Sequence, residues 1–350
     1  MGIFVSLLVL SALIFFHELG HYAAARLMGV YVEVFSIGFG RKIASFTKWG
    51  TEWKIAMIPL GGYVKMKGQD DADPSKISLD DDSYNTKTPA QRIFILLAGP
   101  AANFVLAFVL YFVIALGGPQ VLSPVIGNVV QDSPAFIAGL ESNDTVRSMN
   151  GIHITTWKEM AEIISHADGS VKVEIDRAGF IEYKTLTPKI TETKNIFNEI
   201  VQRKMIGIGS AGVSHTLELG VFQTLSYATE QTIFASTMIF TGVQKLIMGD
   251  VPAKELGGVI SIVKLTADAT NAGWMSVLFF AALISVNLGV LNLLPIPALD
   301  GGHIMFNLYE MITKHAPSEK VLINLTIAGW ILLFSLMGLG LFNDITRLMG

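Results

Sequence analysis

Apolar and polar residues alternate along this chain on two length scales. On the long scale, three stretches stay apolar over the twenty or so residues that a bilayer-crossing helix needs: Ile93 to Leu116, Trp274 to Leu294 and Leu322 to Phe342. A fourth, Gly2 to Met28, is similarly apolar but carries His17, Glu18 and His21. On the short scale, Tyr31 to Lys67 follows the period of two expected of strands, with Val32, Val34, Phe35 and Ile37, then Trp53, Ile55, Met57 and Ile58. Gly38-Phe39-Gly40 and Gly61-Gly62 punctuate it. The acidic stretch Gln69 to Asp82, with its proline and serines, is expected to be a mobile loop.

From Pro124 to about Ile190 the pattern becomes that of a small water-exposed α+β domain. Short strands are predicted at Val125 to Val130, Val171 to Ile175 and Tyr183 to Leu186, a helix at Trp157 to Ser165, and a hairpin turn at Asn150-Gly151. Residues 191–216 look irregular. Leu217 to Met248 shows an incomplete helical stripe interrupted by Glu230 and Gln231, and is expected to lie in the membrane interface rather than to span. A spanning alternative there would reverse the orientation of everything after it.

Composition agrees with this picture. The 350 residues are 51% hydrophobic and 15% charged, with a mean hydropathy of +0.51, too apolar for an ordinary soluble enzyme. The net charge of -4 and the lack of any basic tract give no reason to expect nucleic acid as a partner. With no cysteine, any metal must be held by nitrogen and oxygen. The first stretch resembles a signal peptide at Ala23-Ala24-Ala25, but it lacks an early Lys or Arg and carries three ionisable groups, so a span is expected. Arg26, Arg41, Lys42, Lys87 and Arg92, then Lys314 and Lys320, mark the inside ends of spans, while Gly117 to Ala135 has no basic residue. The N-terminus and residues 117–270 are therefore expected outside, residues 29–92 and the Pro295 to Lys320 loop inside; Lys264 and Arg347 go against that bias.

The chemistry lies in His17-Glu18-Leu19-Gly20-His21, an H-E-x-x-H pattern. On a helix, residues four apart share a face, so both imidazoles can point at one ion. Zinc lowers the pKa of a water it holds to about 7, and Glu18 can take that proton and later pass it to the leaving amine. Ionisable groups at this depth are costly, which argues for function. A third ligand is still required. Glu33 and Glu52 are the nearest acids downstream, both in strand-like sequence, whereas Asp300 lies at the inside end of the third span, where the first span also ends. Pro295 and Pro297 break the helix there, so Asn292 and the free backbone can face a polar cavity, and Asp300 is favoured. His303 is expected to pack or support a ligand, and Asn103 and Asn287 to hydrogen-bond between helices.

Taken together, His17-Glu-Leu-Gly-His21 and Asn292-Leu-Leu-Pro-Ile-Pro-Ala-Leu-Asp300-Gly-Gly-His303 resemble the site-2 protease family, and within it most the bacterial regulator of sigma-E protease branch. Phe39-Gly40, Pro59-Leu-Gly-Gly-Tyr-Val-Lys-Met66, Ala98-Gly-Pro-Ala-Ala-Asn103 and Leu256-Gly-Gly-Val-Ile-Ser-Ile262 extend the likeness over nearly the whole chain. Ser133-Pro-Ala-Phe-Ile-Ala-Gly-Leu140, Asp144-Thr-Val and Asn150-Gly-Ile resemble the start of a PDZ domain, with room for only one such domain. Val259 stands where relatives often place proline.

The resemblance implies a polytopic α-helical membrane protein with about four spans, a membrane-associated β-sheet after the first helix and one external PDZ-like α+β domain. The expected segments are 1–28 (first span), 29–92 (β region and acidic loop), 93–116, 117–200 (PDZ-like), 201–270 (linker and interfacial helix), 271–303 (third span) and 304–350. It implies Zn2+ held by His17, His21 and Asp300, Glu18 as general base, and Asn292 beside the scissile peptide. It also implies action on single-pass transmembrane substrates, such as anti-sigma factors or remnant signal peptides, by a monomer in the bacterial inner membrane with the PDZ-like domain on the periplasmic side. A PDZ adaptor without catalysis and a metal transporter compete with this reading; the intact Glu18 and the convergence of ligands on one site argue against them.

Overall fold

The computed structural model describes residues 2–69, 78–195, 197 and 199–349. They form two compact units, Met1–Ile114 together with Phe222–Gly350, and Ala115–Val221. The first unit opens with helix α1 (Gly2–Leu27), followed by strands β1 (Val32–Lys48) and β2 (Thr51–Met66) and helix α2 (Pro89–Leu116). Helix α2 starts a turn earlier than its apolar run because Pro89 occupies the first helical position, where a missing N–H costs nothing. Helices α1 and α2 pack closely through Gly20, where a Cβ would come 2.2 Å from the Ala98 carbonyl oxygen.

Strands β1 and β2 bend so that they meet more than once. Lys42 to Lys48 pairs with Thr51 to Ala56 as a hairpin, while Val34 to Ile37 is flanked on one side by Gly62 to Lys65 and on the other by Glu52 to Ile55. One side of this sheet closes on α1, with Phe35 buried among Tyr22, Ala25 and Ile95. Elsewhere Ile43, Phe46, Trp49, Ile55 and Met57 are exposed, an apolar surface that water would not favour. The stretch expected to be a mobile acidic loop falls mostly on residues 70–77, which lie outside the described residues.

In the second unit, β3 (Gln120–Leu122) and β4 (Ile126–Val129) precede a short helix α3 (Pro134–Ile137). Next come β5 (Thr145–Met149), β6 (Ile152–His153), helix α4 (Trp157–His166), β7 (Val171–Arg177) and β8 (Phe180–Leu186), whose strands form one sheet in the order β6-β5-β7-β8. Asn150 and Gly151 make the predicted hairpin turn, both at positive φ (52° and 82°), as such a turn requires. A capping box between Thr156 and Glu159 starts α4. Ile126, Val146, Met149, Met160, Val173, Ile175 and Ile206 fill the core.

Residues 191–216, expected to be irregular, are instead largely strands. Strand β9 (Lys189–Lys194) pairs with β10 (Ile200–Met205), β11 (Ile208–Ser210) with β4, and β12 (Ser214–Thr216) with β3. Strand β9 is exposed along nearly its whole length and β10 along half of it, so neither has the alternation that reveals a half-buried strand.

The chain returns to the first unit through α5 (Val221–Met248), α6 (Val259–Ala272), α7 (Trp274–Asn292), α8 (Asp300–Thr313) and α9 (Glu319–Met349). Among the described residues, four helices are long and apolar enough to cross a membrane: Phe4–Leu27 within α1, then α2, α7 and α9. Helix α5 is not one of the four; it packs Ala228 and Ala235 with Ala107 and Tyr111 of α2 and Ala282 and Val286 of α7. Helix α6 is an element that the apolar pattern had hidden inside a linker. Its start is capped from α9, where Asp344 accepts hydrogen bonds from the backbone N–H groups of Gly258 and Ser261, 3.0 Å each, and from the Ser261 hydroxyl.

Candidate metal centre

Three elements bring the centre together. Helix α1 contributes His17 and His21 one turn apart, with ring centroids 4.8 Å from each other and Nε2 atoms 3.2 Å apart. Helix α7 ends at Asn292, and the chain then turns through Pro295 and Pro297 before Asp300 opens α8. Prolines cannot continue the α7 hydrogen-bond ladder, which is why the helix gives way here. The turn folds directly over the first residues of α8: a Cβ on Gly301 would meet the Leu294 carbonyl oxygen at 2.2 Å, and one on Gly302 the Ile296 carbonyl oxygen at 2.3 Å. Two glycines after Asp300 are therefore what allows its carboxylate to reach α1.

Asp300 Oδ2 lies 3.4 Å from Nε2 of both His17 and His21. Ligand atoms of these three residues all fall within 4.8 Å of one another. Helix α2 covers the pair from behind, and His21 Nδ1 donates to the Ile95 carbonyl oxygen at 2.9 Å. A carbonyl only accepts, so the His21 hydrogen sits on Nδ1 and a lone pair remains on Nε2, pointing at the other two groups.

The donor set can be tested against zinc on this geometry alone. Asp300 Oδ2 is buried with no hydrogen-bond partner, which is costly for a carboxylate. Two imidazole nitrogens and this oxygen converge on one point. Nitrogen and oxygen donors of this kind suit zinc, with a fourth position left open. The residues fit the ion.

The other acids considered for this role are engaged elsewhere. Glu33 pairs with Lys65 at 2.7 Å and Glu52 with Lys42 at 2.7 Å, both within the β1–β2 sheet.

A cleft of about 340 Å³ opens onto His17 and Asp300, and Glu18, Asn292 and His303 also line it, while His21 lies buried behind. Asn292 Nδ2 is 3.5 Å from His17 Nε2. Gly61, Gly62 and Phe39 form the wall supplied by the sheet. A Cβ on Gly62 would come 3.1 Å from Glu18 Cγ and 2.8 Å from the Ser36 carbonyl oxygen, so the strand passes the carboxylate closely only because this position has no side chain. Sequence reasoning placed His17, Glu18, His21, Asn292 and Asp300 at one site, and the structure brings all five together. It did not single out Gly62 or the Ile95 carbonyl. A glycine pair inside an alternating strand was the available signal for the first, and nothing signals the second.

Comparison with known proteins accords with this centre. Residues 5–336 match the model of peptidase family M50. A predicted zinc metalloprotease of Campylobacter jejuni is 45% identical over 345 residues, covering 99% of this chain and 93% of that protein. One from Helicobacter pylori is 42% identical over 354 residues and covers 99% of both, and one from Clostridium acetobutylicum is 34% identical over 346 residues, covering 98% of this chain and 97% of its own. With two histidines and a buried carboxylate meeting on an apolar helical scaffold, the chain belongs to peptidase family M50, the site-2 proteases, and is a zinc-dependent metalloprotease.

Proposed function

We propose that this protease hydrolyses peptide bonds in or beside the transmembrane segments of single-pass membrane proteins, with His17, His21 and Asp300 holding the zinc ion. The observation that carries the reading is the placement of these residues: two imidazoles lie within a helix long and apolar enough to span, and the third group lies at the break after another. A zinc ion held by these residues would supply Lewis acidity toward the scissile carbonyl and would lower the pKa of a water toward neutrality.

The chain's own residues do the rest. Glu18, next to His17 and lining the same cleft, takes the proton of the attacking water and delivers it to the departing amine. Asn292 Nδ2 donates to the substrate backbone or to the oxygen that gains negative charge. A transmembrane helix has its carbonyls tied up in hydrogen bonds, so the substrate must unwind. The strand that runs from Gly62 past the cleft pairs with β1, and a sheet beside the cleft suits the binding of an extended peptide by strand addition.

The Ala115–Val221 unit acts as a PDZ-like filter that admits substrates already shortened by another protease. Two features accord with the PDZ-like part of this reading: the Ser133-capped turn before Gly139-Leu140, and Asp144, buried and held by Arg177 through two hydrogen bonds of 2.7 Å. The enzyme works as a monomer in the bacterial inner membrane, in the manner of the regulator of sigma-E proteases, with this unit in the periplasm and residues 29–92 on the cytoplasmic side. Anti-sigma factors and remnant signal peptides fit the substrate class.

The test is Glu18→Gln in the full chain, assayed with a tagged single-pass substrate in native membranes. Zinc content stays at the wild-type level, cleavage is lost, and trapped substrates are identified by mass spectrometry. Undiminished cleavage by this variant would sink the mechanism.

A further inference from the structure

The structure gives the two imidazoles different neighbours at Nδ1. His21 Nδ1 faces a backbone carbonyl, whereas His17 Nδ1 faces the side-chain amide of Asn103 on α2, with Nδ2 at 3.1 Å. Asn103 is fully buried, and its Oδ1 has no hydrogen-bond partner. Ser285 of α7 donates to the Asn103 backbone carbonyl at 2.8 Å, so two helices fix this residue beside the metal centre.

The hydrogen on His17 decides which end of the amide belongs there. His17 Nε2 is the nitrogen that faces His21 and Asp300. An imidazole that ligates through Nε2 carries its hydrogen on Nδ1 and needs an acceptor at that point. An amide nitrogen offers only hydrogens, and with it in place the His17 hydrogen would move to Nε2 and block the ligand position. The two ends of an amide exchange by a half-turn that leaves its shape almost unchanged. That half-turn puts the orphan Oδ1 against Nδ1–H.

We infer that Asn103 is the positioning residue for His17: its Oδ1 accepts from Nδ1–H, fixing the tautomer and ring orientation that present Nε2 to zinc. Helix α2 thereby sets both histidines, one through the Ile95 carbonyl and the other through this amide. The inference rests on the reading of His17 as a zinc ligand.

The test measures zinc affinity of the purified full chain in detergent by competition with a chelator, so that no substrate is needed. Asn103→Leu keeps the volume and removes the acceptor; zinc binding is expected to weaken about 10- to 100-fold, the usual loss when such an outer partner is removed. Asn103→Asp keeps an acceptor and removes both hydrogens, and is expected to bind zinc at least as tightly as wild type. Wild-type affinity in Asn103→Leu overturns the inference. So does a loss in Asn103→Asp as large as in Asn103→Leu, since that is the result expected if the residue acts as a donor or only as packing. His17→Ala in the same assay separates the two levels: zinc lost there but unchanged in both Asn103 variants refutes the positioning role alone, and zinc retained there refutes the site itself.

Discussion

Gly99 of α2 lies flat against the His21 ring, so close that an added Cβ would come within 2.2 Å of Nε2 and 2.5 Å of Cε1. The ring cannot swing away freely, because Nδ1 is held by the Ile95 carbonyl on the same helix. Gly99→Ala is therefore expected to displace the imidazole and weaken zinc binding by about tenfold or more, on the scale of losing a supporting partner. Zinc retained by the variant after dialysis against a chelator checks this, and wild-type retention contradicts it.

Gly301 is expected to be even less tolerant. The atoms an alanine Cβ would meet are the carbonyl oxygens of Leu294 and Leu293, at 2.2 and 2.4 Å, and backbone cannot step aside as a long side chain can. Gly301→Ala should cost about 1–3 kcal/mol through overpacking and move Asp300 away from the histidines. A lowered melting temperature together with loss of bound zinc is the expected pair of results; unchanged zinc content would show that the turn adapts.

Asp344 holds the start of α6 to the end of α9. Asp344→Ala strands the N–H groups of Gly258 and Ser261 and the Ser261 hydroxyl, and a buried unpaired group costs about 1–3 kcal/mol. Asp344→Asn keeps an acceptor and should cost less. Thermal unfolding of the full chain, compared across the two variants, measures the order.

In the Ala115–Val221 unit, Thr156→Ala removes the hydroxyl that accepts from the Glu159 N–H at 3.1 Å. Burial pushes the Glu159 carboxyl up, but hydrogen bonds from Thr155 and Thr156 outweigh it and hold the group below its ordinary range. Losing this cap should cost about 1 kcal/mol. Hydrogen exchange should register it as roughly fivefold faster exchange of the Glu159 and Met160 amides, and unaltered rates would show that the cap contributes nothing.

The parts legible in the sequence are those set by local pattern. The long apolar helices show as apolar runs, the Asn150-Gly151 turn as a dipeptide with few alternatives, and His17 with His21 as neighbours on any helix. Strands β9 and β10 were hidden because Thr191, Glu192, Gln202 and Arg203 give no apolar alternation, and pairing across a polar hairpin leaves no trace in one dimension. Asn103 looked like an ordinary inter-helix hydrogen bonder for the same reason: the atom it meets depends on how α1 and α2 slide against each other. Asp300 was within reach only because two prolines and two glycines mark a forced change of direction around it.

The wide separation of the donors along the chain bears on how the enzyme is made. With His17 and His21 on the first helix and Asp300 at the start of α8, a nascent chain carries an incomplete cation cage through most of its synthesis. The three groups meet only once α8 has folded back against α1, so a chain cut short of Asp300 would keep the paired imidazoles and lack the carboxylate that completes the cluster.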